Sequence, residues 1–266
     1  MKFPVITSRQ NPKIALFRAI MRSKKAREQA GVFAVEGGKL FCEAVNSGLE
    51  PTQLLMTEKF SQKNNELIEK AANLCNIDII SNDLAEYISD TKSPEGVFFT
   101  IPLPAPLDKS VKLNTIKGVR LIALDGLQEP GNVGAMIRSC DAFGIDGLLM
   151  SETCADIYSP KVIRSAMGSS FRLPVCRGEL TEFLTELKSK GFVLIGAGLS
   201  ESAERLGNFT FPEKCVAVIG NEGAGISREV LNLCDAQIYI PVKNVESLNA
   251  AVAASIIIYE MSANCR

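Results

Sequence analysis

Residues 215–227 read CVAVIGNEGAGIS. The apolar run 216–219 predicts a strand that is buried on both faces. Three glycines then fall within the six residues 220–225, so backbone amides either face a ligand there or form a tight turn. The spacing matches neither a dinucleotide-binding GxGxxG loop nor a Walker loop. A carboxylate, Glu222, is less expected in a plain connection.

Similar apolar runs lie on both sides of this strand, with helical patterns between them. The predicted strands are 121–124, 147–150, 192–196, 216–219 and 237–240. The predicted helices are 132–143, 160–167, 180–190, 227–233 and 247–261. This alternation predicts an α/β fold with a mostly parallel sheet that is covered on both faces. Ligands of such sheets bind at the carboxyl ends of the strands.

The first hundred residues form a separate α/β pattern. Short strands are predicted at 32–35, 54–56, 77–80 and 97–100, with helices between them. The segment 101–106 then contains three prolines, which neither a helix nor a central strand would accommodate. We therefore expect a smaller N-terminal domain at 1–104, a Pro-rich linker at 105–117 and a larger domain at 118–266.

The composition excludes several kinds of chemistry. The chain of 266 residues contains no histidine, which rules out Ser-His-Asp and Cys-His catalysis and histidine-ligated zinc. Its eight cysteines are never closer than fourteen residues, so no CxxC metal or redox site is expected. The first five residues lack the apolar core of a signal peptide, so none is expected, and the longest apolar stretch, 250–258, is too short to span a bilayer. We expect a cytoplasmic protein with no metal and no membrane association.

The net charge of −1 conceals an uneven distribution. Residues 1–40 carry nine basic and two acidic side chains, a formal charge of +7, whereas the remaining 226 residues carry 20 basic and 28 acidic ones, or −8. A helix is predicted from the cap Asn11, and Arg18, Arg22 and Lys25 form a stripe away from its apolar face. This stripe is either a solvated helix face or a surface that contacts nucleic-acid phosphates.

Two more loops carry polar residues at predicted strand ends. In 128–138, Gly134 and Arg138 are four residues apart and share a helix face, which fits either a ligand approach or an exposed arginine beside a packing glycine. In 240–249, Ser247 and Asn249 place a hydroxyl and an amide at the start of the last helix. These two side chains fit either a binding site or a helix cap.

Together the three loops resemble the motifs of the SpoU (TrmH-type) RNA ribose methyltransferases of the SPOUT superfamily. The first motif, Asn-x-Gly-x-x-x-Arg, is matched by Asn132, Gly134 and Arg138. The second, Gly-Asn-Glu-Gly, is matched by 220–223. The third is matched by Ile240, Pro241, Ser247, Leu248 and Asn249, with Val242 in place of the usual methionine and Asn244 in place of the usual glycine. The segment 158–168 also resembles the one that these enzymes have between the first two motifs.

The resemblance implies a fold and a reaction. The larger domain would be a SPOUT-type sheet with a deep trefoil knot, dimerising through this C-terminal domain, and the smaller domain would be L30e-like. The reaction would move a methyl group from S-adenosylmethionine to a ribose 2′-hydroxyl of RNA. The N-terminal domain favours ribosomal RNA as the substrate, with transfer RNA as the alternative.

The resemblance also implies roles for individual residues. Catalytic roles fall to Arg138, Asn132, Glu222, Ser247 and Asn249. Cofactor binding falls to Ala197, Gly198, Gly220, Asn221, Gly223, Ile240, Pro241 and Leu248. RNA binding falls to Arg18, Arg22, Lys25 and Arg164. Two rival hypotheses are a non-catalytic RNA-binding protein of the same fold and a NAD-dependent oxidoreductase, and the missing GxGxxG loop argues against the latter.

Overall fold

The computed structural model describes residues 3–104 and 118–263. The predicted linker, 105–117, and Cys265 lie outside the described residues. The described chain divides into two compact units. The first contains residues 3–104 together with 156–171, and the second contains residues 118–155 and 172–263.

The first unit is built on a mixed five-stranded sheet in the order β1-β4-β3-β5-β2. Its strands are β1 (Val5–Ile6), β2 (Val32–Glu36), β3 (Gln53–Thr57), β4 (Asn76–Ile80) and β5 (Val97–Pro102). Its helices are α1 (Pro12–Arg22), α2 (Lys24–Ala30), α3 (Gly38–Asn46), α4 (Glu58–Ser61), α5 (Asn65–Ala72), α6 (Asn82–Ile88) and α8 (Pro160–Ala166). β5 runs antiparallel to both β3 and β2, whereas β1, β4 and β3 are parallel.

Side chains alternate between the two faces along each strand of this sheet. Both faces are buried because helices pack on each of them. In β3, Leu54 and Met56 pack in a core with α3 and α5, whereas Leu55 packs in a core with α1 and α6. Helix α1 begins as predicted, with the side chain of Asn11 accepting a hydrogen bond from the amide of Lys13 at 2.9 Å. The sheet is therefore covered by helices on both faces, with a hydrophobic core on each.

The second unit is a parallel seven-stranded sheet in the order β10-β12-β9-β11-β6-β7-β8. Its strands are β6 (Arg120–Leu124), β7 (Gly147–Ser151), β8 (Val175–Gly178), β9 (Val193–Ala197), β10 (Glu204–Arg205), β11 (Cys215–Ile219) and β12 (Ala236–Tyr239). Its helices are α7 (Pro130–Ala142), α9 (Leu180–Ser189), α10 (Arg228–Leu231) and α11 (Ala250–Ala263). The α/β fold with a parallel sheet is thus confirmed.

The central strands of this sheet end at one level. Ile219 of β11 pairs with Leu124 of β6 on one side and with Ala197 of β9 on the other. Ala197 in turn pairs with Ile238 of β12. The segments that follow β6, β9, β11 and β12 therefore leave the sheet side by side at its carboxyl edge.

The path from β9 to β10 is unusual because β12 lies between these two strands. Ala197, the last residue of β9, pairs with Ile238 from one side, and Glu204, the first residue of β10, pairs with Ile238 from the other. The six residues 198–203 thus carry the chain around β12.

Within the described ranges, no helix has the length and apolar character needed to cross a membrane.

A buried ion pair ties α2 to the segment 156–171 within the first unit. The guanidinium of Arg27 donates to the carboxylate of Asp156 at 2.5 and 3.1 Å and to the carbonyl of Ile20 at 2.5 Å. The side chains of Arg27 and Asp156 are only 5% and 15% exposed. On the same helix, Lys24 and Glu28 form an ion pair at 3.6 Å whose side chains are both more than half exposed.

We expect Arg27→Met to lower the free energy of unfolding by about 3 kcal/mol, because it leaves a largely buried carboxylate without its partner. Lys24→Met removes the exposed pair and should change the same quantity by less than about 1 kcal/mol. Urea denaturation followed by circular dichroism measures both variants. Equal stability of the two variants would contradict the importance of the Arg27–Asp156 pair.

Candidate active site

A cavity of about 460 Å³ opens at the carboxyl edge of the parallel sheet. It is formed by the ends of β9, β11 and β12, the loops that follow them, and the first turns of α11. Its lining includes six of the eight residues predicted to bind a cofactor, namely Ala197, Gly198, Gly220, Asn221, Ile240 and Leu248. Gly223 and Pro241 are not part of the lining.

Several lining residues were missed by the sequence analysis. They are mainly apolar, and together with Val242 they make up the apolar wall of the cavity: Leu199, Ile219, Ile238, Tyr239, Ala253 and Ile257. Strand and helix patterns account for all of them except Leu199, which lies in the segment after β9. A single sequence therefore does not distinguish the others from core residues. Val242, which departs from the family motif, keeps an apolar side chain in the wall.

The turn after β11 has a fixed shape because Asn221 organises it. Its side-chain oxygen accepts hydrogen bonds from the amides of Gly223 and Ala224 at 2.9 and 3.0 Å, and its Nδ2 donates to the carbonyl of Gly126 at 2.7 Å. Its backbone forms two hydrogen bonds with Gly225, which has a φ of +71°. Asn221 therefore connects the turn to the loop that follows β6.

Gly220 is required by close packing. A Cβ atom on Gly220 would lie 2.2 Å from the carbonyl carbon of Gly225 and from the amide nitrogen of Ile226. Both atoms belong to the backbone, so they could move aside only if the turn changed its path. At Gly223, in contrast, the nearest atom to a Cβ is a side-chain oxygen 3.7 Å away.

Three predicted catalytic side chains meet beside the cavity, and Asn132 lies between the other two. Asn132 Nδ2 donates to Glu222 Oε1 at 3.0 Å, and Asn132 Oδ1 accepts from Asn249 Nδ2 at 3.1 Å. The backbone amide of Asn132 donates to the carboxylate of Glu129, the N-cap of α7, at 2.7 Å. We call Asn132, Glu222 and Asn249 the amide–carboxylate cluster. It connects the segments that follow β6, β11 and β12.

The carboxylate of Glu222 is held in its ionised form. Burial works against the charge, but the hydrogen bond from Asn132 and those from nearby backbone amides outweigh it, so the pKa of Glu222 lies below its usual range. Glu222 and Asn249 both line the cavity, and so does Ser247. The edge of the cavity thus presents a negative charge, an amide and a hydroxyl.

Arg138 is on the same helix as Asn132 but outside the cavity lining. Six residues along a helix correspond to about 9 Å, which is beyond direct contact between the two backbones. Arg138 is exposed, and it makes no hydrogen bond or ion pair with any residue in the described ranges. Its guanidinium is therefore available to a substrate.

The four residues predicted to bind RNA all lie in the first unit. Arg18 donates to the carbonyl of Tyr87 and stacks on the ring of Tyr87, with its guanidinium carbon 3.6 Å from the ring centroid. Arg164 forms a two-bonded pair with Asp90 at 2.6 and 3.1 Å. Arg22 and Lys25 are exposed on α1 and α2. Two of the four cations therefore have partners within the unit.

Comparison with known families identifies both units. The profile of the SpoU rRNA Methylase family matches residues 120–259. The profile described as MRM3-like substrate binding domain matches residues 11–98. Among the described residues, no group of three or more Cys, Asp or Glu side chains is arranged to hold a metal ion.

Two curated relatives align over nearly the whole chain. The chain is 32% identical to the 23S rRNA (guanosine(2553)-2′-O)-methyltransferase RlmP of Bacillus subtilis, covering 96% of this chain and 98% of the relative. It is 33% identical to the 23S rRNA (uridine(2479)-2′-O)-methyltransferase of Streptomyces viridochromogenes, covering 96% and 90%. The fold is similar to the crystal structure of the SpoU methyltransferase AviRb from S. viridochromogenes in complex with AdoMet, with a TM-score of 0.83, 29% identity, and coverage of 96% and 98%.

We expect Asn132→Ala to raise the pKa of Glu222 towards its ordinary value, because the variant removes the hydrogen bond that favours the ionised carboxylate. Asn249→Ala is the matched control, since it removes a hydrogen bond from Asn132 but leaves the one to Glu222. Carbon-13 NMR titration of the Glu222 carboxyl measures both variants. A pKa that is unchanged in Asn132→Ala would show that this contact does not govern the charge of Glu222.

Proposed function

The chain belongs to the SpoU rRNA Methylase family, and we propose that it transfers a methyl group from S-adenosylmethionine to a ribose 2′-hydroxyl of ribosomal RNA. The observation that carries this proposal is the amide–carboxylate cluster, which joins the three family motifs at the rim of one cavity. The names of two relatives support ribosomal RNA as the substrate class. Those names specify a guanosine in one case and a uridine in the other, so the proposal extends to ribosomal RNA and not to one nucleotide.

The cavity fits S-adenosylmethionine in size and chemistry. Its volume of about 460 Å³ lies within the usual range for small-molecule sites. The apolar wall that includes Leu199, Ile238 and Ile257 suits an adenine ring, and a ligand can approach the backbone at Gly198, since no atom lies within 4 Å of the position a Cβ would take there. The carboxylate of Glu222 suits a cationic ligand. When bound, S-adenosylmethionine supplies an electrophilic methyl group on a sulfonium.

The chain's own residues then position the acceptor and stabilise its charge. Arg138 is a poor base because the pKa of a guanidinium is above about 12. We assign it to stabilise the developing alkoxide or to hold the adjacent phosphate. The ionised Glu222 would accept a hydrogen bond from the ribose hydroxyl and take its proton as the oxygen gains the methyl group, and Asn132, Asn249 and Ser247 would orient the groups around it.

The two rival hypotheses explain less. A non-catalytic RNA-binding protein would not need the full set of predicted catalytic residues. That set is nevertheless complete in the sequence: Asn132, Glu222, Ser247, Asn249 and Arg138. A NAD-dependent oxidoreductase would need a GxGxxG loop after a strand, and none occurs in the sequence. We place the enzyme in the cytoplasm, where thiols stay reduced. This placement fits the seven cysteines among the described residues, for which no disulfide is seen.

We propose that the second unit contains the trefoil knot of the SPOUT fold. The support comes from the segment 198–203, which passes around β12 between Ala197 and Glu204. The chain that leaves β12 towards α11 would then run through the loop that this segment closes. Gly198 and Leu199 of the same segment line the cavity, so the knot would also form part of the cofactor site.

We assign the first unit to RNA binding, in agreement with the family profile that it matches. Its mixed sheet with helices on both faces supports the L30e-like form. We retain the domains 1–104 and 118–266, with 105–117 between them, and note that 156–171 packs with the first unit. Arg22 and Lys25 are exposed, and we assign them with Arg18 and Arg164 to the RNA surface.

We propose that the enzyme is a homodimer through its C-terminal domain. Helix α11 is strongly apolar, with Glu260 as its one charged residue, and its apolar side chains are not confined to one face, which is typical of a helix covered on more than one side. Its outer face nevertheless leaves Val252 49% and Tyr259 53% exposed, and Phe143, 38% exposed, stacks edge-on against Tyr259 at 5.6 Å. A second copy of this surface would cover these side chains.

Arg138→Ala is expected to lower the rate of methyl transfer at least ~100-fold, because one preorganised donor at a developing oxyanion contributes this much. Affinity for S-adenosylmethionine should stay within about two-fold of wild type, since Arg138 is outside the cavity lining. The assay follows tritium from the cofactor into ribosomal RNA, with calorimetry for cofactor binding. Arg205→Ala removes another exposed arginine of the second unit and serves as the control. Full activity of Arg138→Ala would refute the role of Arg138.

Gly220→Ala should weaken binding of S-adenosylmethionine at least ~10-fold, because the added methyl overpacks against backbone atoms and overpacking costs about 1–3 kcal/mol. Gly223→Ala adds the same methyl to the same turn with room to spare and should bind normally. Isothermal titration calorimetry measures both affinities. Equal affinities would contradict the assignment of this turn to the cofactor site.

A further inference from the structure

The first unit contains a hollow of about 520 Å³ that the sequence motifs do not explain. It lies where β3 ends and β5 begins, between α4, the start of α6 and the loop that precedes β5. Three lysines line it: Lys59 and Lys63, in and just after α4, and Lys92, in the loop that precedes β5. All three are exposed, and we call this feature the lysine-lined hollow.

The positive charge of the hollow is only partly offset from within. None of the three lysines has an ion-pair partner among residues 3–104 and 118–263. Two carboxylates, those of Glu86 and Glu95, also line the hollow. Glu95 accepts a hydrogen bond from the amide of Gly38 at 3.2 Å. Three lysines against two glutamates leave the lining with a formal charge of +1. The hollow therefore carries an excess of positive charge.

The loop that carries Lys92 is anchored by a buried carboxylate. Ser89 Oγ donates to Glu36 Oε2 at 2.6 Å, and Thr91 Oγ1 donates to Glu36 Oε1 at 3.4 Å. Glu36 itself is only 7% exposed. On the opposite wall, the hydroxyl of Thr57 caps α4 by accepting from the amide of Phe60 at 3.2 Å. The lysines thus project from backbone that is fixed on both sides of the hollow.

We propose that the lysine-lined hollow binds backbone phosphates of the RNA substrate, an inference that rests on the proposed function. A lysine is a flexible point charge, which suits a phosphate better than a base edge. The polar groups beside the lysines, Asn82 and Ser93, add hydrogen-bond donors for phosphate or ribose oxygens. Phe60, the aromatic residue of the lining, is buried, so it has no free face for stacking a base. The hollow therefore orients RNA without reading its sequence.

The lysine-lined hollow is distinct from the basic stripe on α1 and α2, which consists of Arg18, Arg22 and Lys25. Arg18 and Arg164 have partners in the first unit, whereas the three lysines of the hollow have none among the described residues. Each neutralised phosphate contributes about 0.7 to the salt dependence of binding on single-stranded RNA. Loss of three such contacts should lower the slope of log affinity against log salt by about 2.

The test compares the triple variant Lys59→Ala/Lys63→Ala/Lys92→Ala with Lys70→Ala/Lys190→Ala/Lys214→Ala, which removes the same charge from exposed lysines outside the hollow. The probe is deproteinised 23S rRNA from a strain that lacks the gene. Binding is measured by filter retention over a series of potassium chloride concentrations, and cofactor affinity by calorimetry. A third variant, Lys59→Arg/Lys63→Arg/Lys92→Arg, keeps the charge.

The hollow variant should lose about 2 from the slope and have a raised KM for RNA, with normal cofactor affinity. The control and the arginine variant should keep the wild-type slope. If the wild type methylates the RNA and the hollow variant keeps the wild-type slope and KM, the hollow is not an RNA site. If the wild type transfers no methyl group to any ribosomal RNA, the proposed function itself fails, whatever the slopes.

Discussion

The second unit depends on the side chain of Asn132, whose two ends join segments that are distant in sequence. Its amide group donates to Glu222 after β11 and accepts from Asn249 at the start of α11. A side chain with only a donor or only an acceptor could not make both contacts. The parallel sheet brings the three segments to one edge, and Asn132 then sets the position of Glu222 relative to the cavity. The side-chain amide of Asn132 therefore both connects the three segments and positions the carboxylate of Glu222.

The charge distribution has a different meaning in the folded chain. Part of the basic excess of the first forty residues is used internally, because Arg27 pairs with buried Asp156 and Lys13 pairs with Asp78. Arg18 is likewise fixed on Tyr87. The lysine-lined hollow, in contrast, comes from a part of the chain whose formal charge is negative. Net charge over a stretch of sequence therefore says little about which cations remain available to a phosphate.

Much of the fold could be predicted because the buried strands are continuous apolar runs, as in β11. β8 and β10 were missed since their sequences, VCRG and ER, have no such run. The last helix begins at Ala250, three residues after the predicted start, because Asn249 caps it through the amide of Ala251. At the site, the motifs identified Asn132, Glu222 and Asn249. Their mutual hydrogen bonds and the apolar wall could not be predicted, because both depend on distances between segments far apart in sequence.

The central claim is that this protein methylates a ribose of ribosomal RNA. A transcriptome-wide map of 2′-O-methylation, compared between cells with and without the gene, tests it most directly. We expect one ribose methyl to disappear from ribosomal RNA in the deletion strain and to return when the wild-type gene is restored. Identical maps from the two strains, or a lost methyl confined to transfer RNA, would contradict it.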